Sequence, residues 1–84
     1  MKVEEMITIY GLHDCAQCNS TKTYLDKQTV PYEYVNLGEN RDAKKLVYKK
    51  GVKKLPLVVI RDQNGNEVDF WSGFNITKML EIVG

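Results

Sequence analysis

The chain has 84 residues, 43% of them hydrophobic and 27% charged, with a net charge of +1. That length supports one core, so a single compact domain over residues 1–84 is expected. Near-neutral charge gives no general pull toward nucleic acid or an anionic membrane surface, and no stretch approaches the roughly 18 apolar residues of a membrane span.

The opening segment MKVEEMITIY places two glutamates where a signal peptide needs an apolar run. A cytoplasmic, thiol-reducing location is therefore expected. Met6 to Tyr10 (MITIY) is β-branched and aromatic, ends at Gly11 and reads as a first strand. A helix should begin near Cys15 and run to about Gln28, with Asp14 as its cap and Cys18, Thr21 and Leu25 on one face. Val30-Pro31 breaks it, and Tyr32 to Leu37 (YEYVNL) resumes strand character. A charged helix follows over Glu39 to Lys50, with a narrow apolar stripe of Ala43, Leu46 and Val47, and Gly51 stops it.

Leu57 to Ile60 (LVVI) is continuously apolar, as a strand covered on both faces should be. Asn64-Gly65 marks a hairpin into a returning strand that holds Val68, Phe70 and Trp71. Asn75 caps a last helix whose Ile76, Met79, Leu80 and Val83 keep the i, i+3, i+4, i+7 spacing. The order β-α-β-α-β-β-α predicts an α/β fold. Its four-stranded mixed sheet should be flanked by three helices, with the first two strands parallel and the last two antiparallel.

Both cysteines and the single histidine fall within HDCAQC, residues 13–18. A loop that short removes little entropy from the unfolded chain, so the pair is poorly placed as a structural staple. Zinc would need four ligands; Cys15, Cys18 and His13 make three, no second pair follows, and no metal site is expected. Inert thiols placed by chance are the plainer alternative. A CxxC at a strand-to-helix junction in a reducing compartment points instead to redox chemistry. The helix N-terminus offers unpaired N–H groups and partial positive charge, both of which favour a thiolate. Cys15, at the exposed end, should attack a target disulfide, and Cys18, one turn inside, should resolve the mixed disulfide. A protonated His13 would help the thiolate of Cys15; Asp14 would oppose it.

With CAQC after the first strand, Leu55-Pro56 before the third and WSGF after the fourth, the sequence resembles the glutaredoxin family, and more narrowly the NrdH-redoxins. The likeness runs from Ile7 to about Leu80 and includes KQTVPYEYVNL and LPLVV. It implies a thioredoxin fold and a small dithiol-disulfide carrier whose Cys15–Cys18 disulfide is reversible. Such a carrier binds no cofactor of its own; NADPH and FAD belong to the partner reductase. The implied partners are thioredoxin reductase as electron source and ribonucleotide reductase as disulfide substrate. No nucleic acid or membrane is implied, and a monomer is expected.

An X-Pro bond is trans by default, but the resemblance implies a cis bond at Pro56, leaving the backbone of Leu55 to pair with an extended substrate segment. Trp71, Ser72, Gly73 and Phe74 stand where glutathione-using glutaredoxins carry a glycine pair followed by an acidic residue. Phe74 and Asn75 follow Gly73 here, and Leu12 replaces the basic residue common three positions before the first cysteine. Both departures favour a protein partner over glutathione. The alternatives are a glutathione-dependent glutaredoxin, a non-catalytic binding module using the Pro56 and Trp71 surface, or a metal-bridged dimer. Trp71 and Phe74 could equally cap the core beneath the last helix. The six lysines of KKLVYKKGVKK read as the solvated face of a helix, Lys22 as surface or as an electrostatic influence on the dithiol, and Tyr24, Tyr32, Tyr34 and Tyr48 as packing residues.

Overall fold

The structure is a computed structural model that describes residues 5–83. The leader reading of the first ten residues therefore falls partly outside the described residues. The elements are β1 (Met6–Gly11), α1 (Ala16–Lys27), β2 (Glu33–Asn36), α2 (Arg41–Lys50), β3 (Leu57–Arg61), β4 (Glu67–Ser72) and α3 (Ile76–Val83), with a 3-10 turn at Leu37–Glu39. The four strands form one mixed sheet in the order β2-β1-β3-β4. β1 and β2 run parallel, while β3 pairs antiparallel with both β1 and β4. The expected fold class is what forms.

Apolar residues alternate across the sheet because successive strand side chains point to opposite faces. Ile7, Ile9, Val58, Ile60 and Trp71 join Leu25 of α1 and Met79 of α3 in one cluster. Tyr10, Leu57 and Val59 join Leu37 and Ala43 in the other, beside α2. Leu57, Val58 and Val59 are fully buried, as a strand covered on both faces requires.

Local signals explain the element ends. Asn40 rather than Glu39 opens α2, its side chain accepting from the Ala43 N–H at 2.9 Å, and Gly51 closes it at φ +69°. α1 ends at Lys27, and Thr29 turns the chain away in the left-handed region at φ +60°. The hairpin is a longer loop than the Asn64-Gly65 pair alone implies. The Asp62 carboxylate accepts from the N–H groups of Asn64 and Asn66, and Gly65 sits at φ +85°.

Burial is uneven at three places. In β4 only Trp71 is buried; Val68 and Phe70, on the opposite face of this edge strand, are exposed. In α3 Met79 is fully buried, yet Ile76 and Leu80 are 45% and 54% exposed, and the Val83 side chain lies outside the described residues. Tyr48 does not pack: it is exposed on α2 beside the lysines. Of those lysines Lys50 bonds Glu67 and stacks on the Phe70 ring, tying α2 to the sheet edge. No helix among the described residues is long and apolar enough to cross a membrane.

Candidate active site

Register places the site. Gly11 pairs with Asn36, and Tyr10 with Leu57, so the ends of β1 and β2 and the start of β3 lie together at one end of the sheet. The loop from Leu12 to Cys15 and the entry to β3 therefore meet there. Cys15 and Cys18 are joined as a disulfide, their Cα atoms 5.1 Å apart.

Asp14 is not the cap of α1. Cys15 is: its backbone is extended (φ −101°, ψ 112°) and its Sγ accepts from the Cys18 N–H at 3.2 Å. A cysteine fills the place usually held by Ser, Thr, Asp or Asn, where a side-chain acceptor satisfies a free helix donor. Once reduced, a thiolate at this cap would meet the same N–H and the positive end of the helix dipole. Cys15 is half-buried, whereas Cys18 has no exposure. His13 and Asp14 are both exposed.

The peptide bond between Leu55 and Pro56 is cis. Pro56 is buried and Leu55 half-buried, just outside the β1–β3 ladder, which starts at Leu57. Ser72 closes β4 opposite Leu57. Gly73 adopts φ +77° and its N–H donates to the Pro56 carbonyl at 2.8 Å, locking the WSGF turn onto the proline. Phe74 is 39% exposed and meets Tyr24 edge to face, ring centroids 6.4 Å apart. A shallow groove of about 360 Å³ runs beside it, between Thr23, Lys27 and Phe74. Trp71 differs from its neighbours in the motif. It is only 7% exposed and belongs to the core, with an indole N–H that has no protein partner among the described residues.

The comparisons with known proteins agree with this geometry. Residues 7–64 match the glutaredoxin family. The glutaredoxin-like protein NrdH of Escherichia coli K12 is 32% identical over 68 residues, covering 81% of this chain and 76% of that protein. The chain belongs to the glutaredoxin family. Its nearer likeness within that family is to NrdH-redoxins: NrdH of Lactococcus lactis is 26% identical over 78 residues, covering 92% of this chain and 99% of the relative. The solved NrdH-redoxin of Escherichia coli, described for a thioredoxin-like activity profile, superposes with a TM-score of 0.80 at 27% identity, covering 92% of this chain and 93% of that one. A glutaredoxin of Archaeoglobus fulgidus superposes at 0.70 with 25% identity, covering 96% and 88%.

In this NrdH-like redox protein, residues passed over in the sequence complete the site. Gln17, between the two cysteines, accepts from the Phe74 N–H at 2.9 Å and so joins the dithiol helix to the WSGF turn. Its only sequence signal is its place on the first turn. Gly11 keeps space over the inner sulfur, because a Cβ there would stand 2.5 Å from Cys18 Sγ. Tyr34 does more than pack: its hydroxyl donates to the Leu12 carbonyl at 2.9 Å, and Lys22 lies 4.2 Å over its ring. Lys22 thus sits on the Tyr34 ring. Among the described residues no three His, Cys, Asp or Glu side chains gather as metal ligands.

Proposed function

We propose that this protein carries electrons from thioredoxin reductase, a flavoenzyme that uses NADPH, to a protein disulfide, with ribonucleotide reductase as the substrate. Cys15 attacks the target disulfide, forming a mixed disulfide and releasing one target thiolate. Cys18 then attacks the Cys15 sulfur; the second target thiolate leaves and the Cys15–Cys18 bond closes. The half-buried cap position of the first sulfur and the burial of the second support that division of labour.

The observation that carries a protein substrate is the lack of charge at two positions of the rim. Leu12, 41% exposed, stands three residues before Cys15, and Phe74 and Asn75 follow Gly73, so the charges that hold glutathione's termini in related proteins are missing at both places. Leu55 would lend its backbone to an extended target segment beside Pro56. Ser72, Gly73 and Phe74 would border that segment, and Trp71 would support the turn from inside. The thioredoxin-like activity profile of the Escherichia coli NrdH-redoxin supports the same reading.

The test is a choice of reductants with insulin as the disulfide substrate. NADPH oxidation through thioredoxin reductase, with none above background through glutathione and glutathione reductase, is expected. The reverse pattern would make the protein a glutathione-dependent glutaredoxin.

A further inference from the structure

Cys18 has a task its surroundings make hard. To resolve the mixed disulfide it must become a thiolate, yet its sulfur is fully buried, and burial disfavours the charged form. Unlike Cys15, it lies one turn inside the helix rather than at the cap.

The Tyr34 side chain comes near this sulfur. The point where a Cβ on Gly11 would stand is 2.5 Å from Cys18 Sγ and 2.6 Å from the Tyr34 hydroxyl oxygen. The sulfur and the oxygen therefore flank one small space and are no more than about 5 Å apart, a gap that one ordered water or a modest ring movement spans. Any side chain at position 11 would fill that space and part the two groups.

Tyr34 is suited to donate there. Burial raises its pKa above 10, so the phenol keeps its proton at neutral pH. Lys22 from α1, 4.2 Å from the ring centroid, places a positive charge over it, and Tyr32 on the β2 side adds only a second phenol. In the disulfide form Cys18 carries no charge, and the hydroxyl serves the Leu12 carbonyl. A thiolate is a stronger acceptor than a neutral carbonyl.

We propose that in the reduced and mixed-disulfide states the Tyr34 hydroxyl turns from the Leu12 carbonyl to the Cys18 sulfur and stabilises the thiolate that resolves the mixed disulfide. Tyr34 keeps its proton throughout. The Cys18 thiolate supplies the electron pair for the new Cys15–Cys18 bond, the bond from Cys15 to the target breaks, and the target sulfur leaves with that bond's electrons. The role rests on the reading that Cys15 attacks and Cys18 resolves.

The test uses the whole reduced protein and one equivalent of dithiobis-nitrobenzoate, followed by stopped flow. Attack by Cys15 releases a first thionitrobenzoate, and resolution by Cys18 releases the second. Tyr34→Phe keeps the ring and its stacking on Lys22 and removes only the hydroxyl. The expected result is an unchanged first phase and a second phase about threefold slower at pH 7. The basis is about a tenfold loss of thiolate from one lost hydrogen bond to a charged group, partly offset by the greater nucleophilicity of a more basic sulfur. The pH midpoint of the second phase should also move up by about one unit, which a merely structural role would not cause. A second phase and midpoint equal to those of the unmodified protein would overturn the proposal. If Tyr34→Phe loses its fold by circular dichroism, Tyr34→3-fluorotyrosine replaces it: the stronger donor should speed the second phase, and an unchanged rate would overturn the idea. Absence of the first phase in the unmodified protein would instead remove the dithiol reading itself.

Discussion

The first and last helices lean on the same cluster but hold to it differently. α1 is the more polar by sequence, AQCNSTKTYLDK, yet Cys18, Thr21 and Leu25 have no exposure at all. α3 is the more apolar, ITKMLEIV, yet among its described side chains only Met79 is fully buried, and Ile76 and Leu80 are about half exposed. α1 connects the two parallel strands β1 and β2 and brings Cys18 against Gly11. α3 follows the edge strand β4 and is tied to it by the Lys78–Asp69 ion pair. The strength of an apolar pattern thus shows which face of a helix turns inward, while its place on the sheet decides how much of that face is covered. The helix that carries the chemistry is the one held most fully.

Substitutions can break this contrast in order of size. Leu25→Ala should cost about 2–5 kcal/mol in urea unfolding, because it empties a fully enclosed site on α1. Gly11→Ala should cost about 1–3 kcal/mol, since the added Cβ would overlap Cys18 Sγ and the Tyr34 hydroxyl. Leu80→Ala on α3 should stay within about 0.5–1 kcal/mol of the unmodified protein, as expected of a side chain 54% exposed. A cost near that of Leu25→Ala would erase the difference between the helices.

The smallest effect belongs to the ion pair. The hydrogen bond from Lys78, with help from the Phe70 N–H and the Lys78 charge, holds the Asp69 carboxyl below its ordinary value against the opposing effect of burial. A lowered folded-state pKa means the unfolded chain binds a proton more readily. Its stabilisation is present above the unfolded pKa of about 3.9 and is lost as pH falls through the lower folded value. Asp69→Asn should therefore lower the melting temperature slightly at pH 7 and leave it unchanged in strong acid. An equal drop at both pH values would assign the effect to packing.

Much of this molecule was legible in its residues because local chemistry and global fold agree. The β-branched strands, the helix stops at Val30-Pro31 and Gly51 and the continuous LVVI run each point to one structure. The dithiol could be found because two cysteines at a strand-to-helix junction have few other uses. What sequence could not supply was contact between distant segments. Gln17 meets Phe74 across 57 positions and Tyr34 meets Leu12 across 22, and neither has a local signature. Asp14 looked the better cap because carboxylates usually fill that role, but the chain gives the cap to Cys15 and so seats its sulfur among the free N–H groups.

The direct measurement is trapping. Cys18→Ser protein, reduced and mixed with insulin, should accumulate a mixed disulfide on Cys15 that mass spectrometry detects, while Cys15→Ser protein should form none and turn over nothing. Full turnover by Cys18→Ser, or a stable adduct on Cys18 in the Cys15→Ser protein formed as fast, would contradict an outer sulfur that attacks and an inner one that resolves.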